Sequence, residues 1–207
     1  MGTVKSLLLG MCFVLGACTS QTSTVQTTEK GTQWEWQNGT IVVKTPERPA
    51  GQKSVLGLTT PKLEAVRVGF VGLGMRGPGA VERFTYIPGT QVVALCDYEE
   101  ARADKCQELL KKASMPKAAV YSGDKGYEEL CKRDDIDLVY IAADWLHHFP
   151  VAKCALENGK NVAIEVPSAM NLQECWDLIN LSESTRKHCF ILENCCYCLL
   201  YTSPSPR

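Results

Sequence analysis

The chain has 207 residues, of which 45% are hydrophobic and 22% are charged, and its formal net charge is −1. This length is enough for one domain of ordinary size with some additional segments. The near-neutral charge argues against a nucleic acid or another polyanion as a partner. The composition is therefore typical of a globular protein with its own hydrophobic core.

The N-terminal residues have the pattern of an export signal. Lys5 is followed by an apolar run at residues 7–15 and then by small residues before Cys18. The run is too short to cross a bilayer as a helix, which favours a signal segment. Because "LGAC" is similar to a bacterial lipobox, we predict a lipoprotein signal peptide at 1–18, with the lipid on Cys18; an ordinary signal peptide is the alternative. The protein would then be anchored to a membrane of the bacterial cell envelope.

Residues 19–64 are predicted to be a tether and an N-terminal extension. The first part is rich in Thr and Ser and has too few apolar residues to fold. In the later part, Trp34 and Trp36 alternate as they would in a strand, and "TIVV" at 40–43 is a second possible strand.

From Val66 onwards the sequence alternates apolar strands with helices. The helices are predicted at about residues 77–86, 99–113, 126–135, 149–159 and 171–187, and the strands are "VRVGFV", "QVVALC", "AAVYS", "DLVYIA", "NVAIEV" and "CFILEN". Strands without a polar face, separated by helices, indicate a parallel sheet covered on both sides. Right-handed crossovers make such a sheet doubly wound. We therefore predict an α/β fold over residues 65–197, with ligands bound beyond the carboxyl ends of the strands.

The first of these strands leads into a glycine motif. In "GLGMRG", Gly72, Gly74 and Gly77 have the spacing G-x-G-x-x-G, between a buried strand and a helix. In that context the motif indicates dinucleotide binding. The first glycine permits a tight turn, the second lets the backbone approach a pyrophosphate, and the third allows close packing of helix and strand. The N–H groups at the start of the helix favour the anion.

An acidic residue stands where a dinucleotide-binding domain needs it. Asp97 ends the second strand, twenty residues after Gly77. A carboxylate at this place accepts hydrogen bonds from the adenosine ribose and repels a 2′-phosphate, so we predict NAD rather than NADP. Arg102, about one helical turn further on, is expected to face solvent.

The later strands also end in polar or aromatic side chains. Trp145, Leu146, His147 and His148 follow the fourth strand, Glu165 and Val166 end the fifth, and Asn194 ends the sixth. Because parallel strands end at one edge, we expect these residues near the nicotinamide. For the adjacent histidines, an ordinary surface position is an equally good interpretation. We predict no metal site, because no Cys or carboxylate stands at ligand spacing from them.

Several stretches together resemble glycoside hydrolase family 109, within the glucose-fructose oxidoreductase/inositol dehydrogenase (Gfo/Idh/MocA) superfamily. They are "VGLGMRGPGAVERF", "DIDLVYIA", "NVAIEVPSAM" and "ILENC", and the resemblance extends from about Trp36 to Tyr197. It implies a Rossmann NAD-binding domain. It also implies NAD contacts at Met75, Arg76, Asp97, Trp145, Leu146, His147, His148, Glu165, Val166 and Asn194.

The resemblance further implies an NAD-dependent α-N-acetylgalactosaminidase acting on a glycan or glycoside. In this class the sugar is transiently oxidised, the glycosidic bond breaks by elimination, and hydration and reduction follow. Dehydrogenases of the superfamily usually carry a catalytic Lys where this chain has Val166, which favours the glycosidase. The alternatives are an NAD-dependent sugar dehydrogenase and a lipid-anchored nucleotide- or sugar-binding protein without turnover.

The resemblance also bears on the end of the chain. Family members continue into a second α/β domain that carries the substrate pocket, and we expect that domain to be missing here through truncation. The catalytic residues are then expected outside this chain, which alone would be inactive. Residues 198–207 correspond to the translation of a DNA string that resembles a sequencing adapter, so we predict that they are not native.

Overall fold

The structure is a computed structural model, and it describes residues 26–27, 33–44 and 46–193. The predicted signal peptide with Cys18, the predicted site residue Asn194 and the predicted adapter-derived tail at 198–207 lie outside the described residues. The chain forms two compact units, Met1–Lys44 and Thr45–Arg207. In the described part of the chain, no helix combines the length and the apolar character needed to cross a membrane.

The first unit contains a three-stranded antiparallel sheet. Its strands are β1 (Gln26–Thr27), β2 (Gln33–Gln37) and β3 (Thr40–Val43), in the order β1-β2-β3. Asn38 and Gly39 join β2 to β3 with φ values of 50° and 76°. An Asn-Gly pair is favoured in such two-residue hairpin turns because both residues tolerate positive φ. The two strands predicted in this region are therefore confirmed.

The second unit is built on a six-stranded parallel sheet with the order β6-β5-β4-β7-β8-β9. The strands are β4 (Val66–Val71), β5 (Thr90–Asp97), β6 (Ala119–Ser122), β7 (Leu138–Ile141), β8 (Asn161–Ile164) and β9 (Cys189–Ile191). The chain runs outward from β4 to β6 and then returns to place β7 on the other side of β4. This reversal confirms the predicted doubly wound sheet, and it puts the topological switch point between β4 and β7.

Helices cover both faces of this sheet. They are α1 (Gly77–Phe84), α2 (Glu100–Lys112), α3 (Gly126–Cys131), α4 (Trp145–Glu157) and α5 (Leu172–Thr185). Alternation along β7 sends Val139 and Ile141 into the core that includes residues of α3, α4 and α5, and Tyr140 into the core that includes residues of α1 and α2. Burial on both faces explains why the strands are almost entirely apolar.

The start of α4 differs from the sequence prediction. The helix was predicted to begin at Phe149, but it begins at Trp145, so residues 145–148 form its first turn. The cause is Asp144, whose side chain accepts a hydrogen bond from the N–H of Leu146 at 3.0 Å and so caps the helix. The predictions for α1, α3, α5 and the last strand also extended beyond their observed ends.

Hydrogen bonds join the segment before β4 to α5. Arg48 makes two hydrogen bonds with the buried Glu183 carboxylate, at 2.8 and 3.0 Å, and Gln52 donates to the same group at 3.0 Å. Hydrogen bonds from Gln52 and Arg48 lower the pKa of Glu183. Arg186 donates to the carbonyl oxygens of residues 53 and 54. The compact unit thus includes part of the predicted N-terminal extension at 19–64.

Candidate functional site

A cleft of about 650 Å³ lies at the carboxyl ends of the central strands. It contains most of the residues that the sequence placed at strand ends: Gly72, Gly74, Met75, Arg76, Asp97, Trp145, His147, His148, Glu165 and Val166. Among the described residues, two of the predicted site residues do not line it. Gly77 is buried, and Leu146 is on the surface with 74% of its side chain exposed.

The glycine turn after β4 forms the centre of the cleft. Gly72 has φ +89°, and a Cβ atom there would lie 2.3 Å from the backbone N of Ala143. A Cβ at Gly77 would lie 2.2 Å from the carbonyl oxygen of Gly72. Only glycine permits these approaches. A Cβ at Gly74 would come no closer than 3.5 Å to Arg102, so the turn is open on the side that faces the cleft.

The N-terminus of α1 follows this turn directly. The N-cap residue is Arg76, whose side chain makes no capping hydrogen bond, and Met75 before it is 95% exposed. The first N–H groups of a helix lack intrahelical partners, and the helix dipole adds partial positive charge there. The turn and the helix start together fit a phosphate group, because the backbone can approach the anion and donate to it.

Asp97 is buried at the end of β5, with 5% of its side chain exposed. Its Oδ2 accepts a hydrogen bond from Leu73 N at 2.6 Å, and its Oδ1 accepts one from Glu99 N at 2.9 Å. Arg102 was predicted to face solvent, and its side chain is 41% exposed, but its guanidinium also lines the cleft, 3.4 Å from Asp97 Oδ1 and 3.0 Å from Glu99 Oε1. Two carboxylates therefore flank one guanidinium at this end of the cleft.

The first turn of α4 brings a histidine to the rim. His147 Nδ1 lies 2.6 Å from Asp144 Oδ2, and its Nε2 lies 3.6 Å from Asp124 Oδ1. Because an ionised carboxylate only accepts hydrogen bonds, Nδ1 carries the proton. Partial burial raises the pKa of Asp144, but hydrogen bonds from His147 and from backbone N–H groups outweigh this, so the pKa is lowered overall.

His148 has a different environment from its neighbour. It is 1% exposed, with Nδ1 2.6 Å from the carbonyl oxygen of Pro167 and Nε2 2.9 Å from that of Ala143. Both ring nitrogens are therefore turned toward the backbone, and the ring joins the start of α4 to the segment after β8.

Glu165 follows β8 at the far side of the cleft from Asp97. Its Oε1 accepts a hydrogen bond from the hydroxyl of Tyr140 at 2.8 Å. Tyr140 is 6% exposed, and burial, with the nearby Glu165, raises its pKa to about 12. Tyr140 is not recognisable as a site residue from the sequence, because strand alternation indicates only its direction and nothing in the spacing identifies its partner.

The remaining groups in the cleft suggest neither a thiol nucleophile nor a metal centre. Cys96 lines the cleft, but burial and the neighbouring Asp97 raise the pKa of its thiol to about 12, so it stays protonated at neutral pH. Among the described residues, no group of three or more His, Cys, Asp or Glu side chains is arranged to hold a metal ion.

Sequence comparison supports the same interpretation of the cleft. Residues 66–192 match the model of the Gfo/Idh/MocA family, described as "Oxidoreductase family, NAD-binding Rossmann fold". The chain is 80% identical over 198 residues to glycosyl hydrolase family 109 protein 4 of Phocaeicola vulgatus. This match covers 95% of the chain but 38% of the relative, so more than half of the relative lies outside it.

Two solved structures have the same fold. A biliverdin reductase from Synechocystis, in complex with biliverdin and NADP⁺, shares 27% identity at a TM-score of 0.54, over 65% of this chain and 39% of that chain. A myo-inositol dehydrogenase from Lactobacillus casei, in complex with NAD(H) and myo-inositol, shares 24% identity at a TM-score of 0.55. The match covers 62% of this chain and 36% of that chain. Since the family model matches well over half of the sequence, the chain belongs to the Gfo/Idh/MocA oxidoreductase family and has its NAD-binding Rossmann fold.

Proposed function

We propose that the chain is the NAD-binding part of a longer NAD-dependent glycosidase of the family 109 type, acting on α-N-acetylgalactosaminides. The observation that carries this proposal is the cleft, in which an open glycine turn lies between the carboxylates of Asp97 and Glu165. The 80% identity to a protein named glycosyl hydrolase family 109 protein 4 supports the reaction class.

The order of the strands suggests how the cofactor would be oriented. Asp97 ends β5 and Glu165 follows β8, with β4 and β7 between them. Adjacent strands are about 4.8 Å apart, so three spacings separate the two carboxylates by roughly 14 Å along the edge. Asp97 would then hold the adenosine ribose and the start of α1 the phosphates. Glu165, Val166, Trp145 and His147 would surround the nicotinamide end.

The charges beside Asp97 favour NAD over NADP. Asp97 and Glu99 both contact Arg102, so two negative groups neutralise the one positive group. A 2′-phosphate at this place would meet a net negative charge. In domains of this kind an arginine accommodates the 2′-phosphate of NADP, but here the guanidinium is already engaged by carboxylates.

The residues at the nicotinamide end favour a glycosidase over a simple dehydrogenase. When bound, NAD would supply the redox chemistry by accepting a hydride from the sugar and returning it. Val166 is 43% exposed at the position where dehydrogenases of the superfamily usually carry a catalytic Lys. Its aliphatic side chain can contact a ligand but cannot transfer a proton. Asp144 fixes the orientation of the His147 ring at the same rim.

Two measurements test the proposal. Titration calorimetry of the 207-residue chain should show binding of NAD, and a chain that does not bind NAD would refute the cofactor assignment. The full-length gene product should release the aryl alcohol from an aryl N-acetyl-α-galactosaminide, whereas the 207-residue chain should not. Net accumulation of NADH with a free sugar, without glycoside cleavage, would instead identify a sugar dehydrogenase.

We also propose that the protein is exported and held in the bacterial cell envelope by lipid on Cys18. Support comes from the sequence alone: Lys5, the apolar run at 7–15 and the lipobox-like "LGAC" stand in the order that a lipoprotein signal requires.

A further inference from the structure

We propose that Tyr140 is a positioning residue for the Glu165 carboxylate, an inference that rests on the proposed cofactor site. The Tyr140 hydroxyl donates a hydrogen bond to Glu165 Oε1 at 2.8 Å. The two residues lie on adjacent parallel strands or directly after them: Tyr140 pairs with Ala163 of β8, and the N–H of Glu165 donates to the carbonyl oxygen of Ile141 at 2.9 Å.

The Tyr140 ring is held on several sides. It stacks on Phe70 with ring centroids 5.1 Å apart, and it meets Phe84 edge to face at 5.8 Å. Phe84 belongs to α1, so the ring is also packed against the helix that follows the glycine turn. The hydroxyl therefore has a fixed position, set by the sheet and by the helix that follows the glycine turn.

This contact determines which part of Glu165 a ligand can use. A glutamate side chain has several rotatable bonds, and ordering it on binding costs conformational entropy. With Oε1 held by Tyr140, the carboxylate of Glu165, which lines the cleft, is ordered in advance. No other side chain in the described part of the chain hydrogen-bonds this carboxylate. Because the pKa of Tyr140 is raised to about 12, its hydroxyl remains a donor at physiological pH.

Tyr140→Phe separates positioning from packing, since it keeps the ring between Phe70 and Phe84 and removes only the hydroxyl. The test measures the affinity of the 207-residue chain for NAD and for ADP, which lacks the nicotinamide riboside. We expect the variant to bind NAD roughly tenfold more weakly, the size of a lost hydrogen bond to a charged group. Its affinity for ADP should stay within about twofold of the parent's, because the adenosine end does not reach Glu165.

Glu165→Gln and the double variant complete a thermodynamic cycle. If Tyr140 acts through Glu165, the double variant binds NAD no more weakly than Glu165→Gln alone. Tyr121→Phe is the matched control: it removes the hydroxyl of a second strand tyrosine, a partly buried one on β6, which accepts a hydrogen bond from Arg133 outside the cleft, and it should leave NAD affinity unchanged.

Three results would overturn the inference: parent-like NAD affinity in Tyr140→Phe, an equal loss for NAD and ADP, or additive effects in the cycle. If the parent chain binds no NAD, the proposed function fails and this inference fails with it. If the parent binds NAD but Tyr140→Phe is unaffected, only this inference fails.

A second variant keeps the test decisive if Tyr140→Phe does not fold. Glu165→Asp keeps the charge but draws the carboxylate back from the Tyr140 hydroxyl. It should weaken NAD binding as much as Glu165→Gln does, and parent-like affinity in this variant would contradict a positioning role for Tyr140.

Discussion

Asp97 Oδ2 accepts a hydrogen bond from the backbone N–H of Leu73 at 2.6 Å, so the acid at the end of β5 is tied directly to the glycine turn after β4. Its other oxygen accepts from Glu99 N at 2.9 Å. The residue proposed to select the cofactor therefore also fixes the loop proposed to bind its phosphates. Two substitutions at this position separate these roles.

Asp97→Asn and Asp97→Ala should both reduce the preference for NAD over NADP, because each removes the charge that repels a 2′-phosphate. Asp97→Ala should also lower the free energy of unfolding by about 1–3 kcal/mol, since it leaves the buried N–H of Leu73 without an acceptor. Asp97→Asn should lower the free energy of unfolding by less, because its amide oxygen can still accept the hydrogen bond from Leu73 N. Calorimetry with both nucleotides and urea unfolding measure the two effects.

Glu100→Ala is the control for this pair, since it removes an exposed carboxylate at the start of α2 and should change neither quantity. Equal affinities of the parent chain for NAD and NADP would contradict the selective role of Asp97. Unchanged stability of Asp97→Ala would contradict its role in fixing the turn.

Gly72→Ala should destabilise the fold by about 3 kcal/mol or more. The residue has φ +89°, and an added Cβ would lie 2.3 Å from Ala143 N, a backbone atom that cannot move aside cheaply. Gly159→Ala is the matched control, because Gly159 also has positive φ (+73°) but a Cβ there meets only Lys187 at 3.9 Å. Gly159→Ala should lower the free energy of unfolding by only about 1–2 kcal/mol, the cost of a left-handed backbone conformation for a residue with a Cβ. If urea unfolding showed the same loss of stability in Gly72→Ala and Gly159→Ala, the close contact at Gly72 would be unimportant.

The strand ends could be predicted from the sequence because each depends on local pattern. Apolar runs mark the strands, and in a parallel sheet their carboxyl ends share an edge. That is why Gly72, Asp97 and Glu165 line one cleft, as expected. The start of α4 was mispredicted because the Asp144 cap, which was not recognised, starts the helix four residues before Phe149.

Partners that are distant in sequence could not be predicted. The contact between Tyr140 and Glu165 joins residues 25 positions apart, and it depends on β7 and β8 being neighbours in a given register. The contacts of Arg102 with Asp97 and Glu99 are local in sequence, but they depend on the rotamer of the Arg102 side chain, which the sequence does not give. Spacing identifies the helix face approximately, but it does not show that a long side chain folds back over the strand end.

Stability should fall at acid pH through the pair formed by Arg67 and Asp137. The Asp137 carboxylate accepts two hydrogen bonds from the Arg67 guanidinium, at 2.7 and 2.9 Å. It accepts a third from the backbone N–H of Arg67 at 2.9 Å. The hydrogen bond from Arg67 is the main cause that lowers the pKa of Asp137. A depressed folded-state pKa stabilises the fold above the unfolded value of about 3.9, and this contribution is lost as pH falls below it.

Asp137→Asn should therefore lower the free energy of unfolding by about 1–2 kcal/mol at pH 7 and by clearly less near pH 3. Urea unfolding at both pH values measures this difference. Glu108→Gln provides the control, because Glu108 is exposed and lies 3.9 Å from Lys111. It should have little effect at either pH. A loss in Asp137→Asn that is the same at both pH values would show that the charge on Asp137 does not contribute.

The last prediction concerns the N-terminus: a Cys18→Ala variant should move from the membrane fraction to the soluble fraction of the cell envelope. One acyl chain binds a membrane only marginally, whereas the several chains of a bacterial lipoprotein anchor it stably, so loss of the modified thiol should remove attachment entirely. Cys12→Ala is the matched control, since it changes a cysteine within the predicted signal segment but leaves "LGAC" intact. It should stay with the membranes. Fractionation of expressing cells, followed by mass spectrometry of the N-terminal peptide, measures both location and lipid. A parent protein found soluble after export, or an unmodified Cys18, would show that the segment is an ordinary signal peptide.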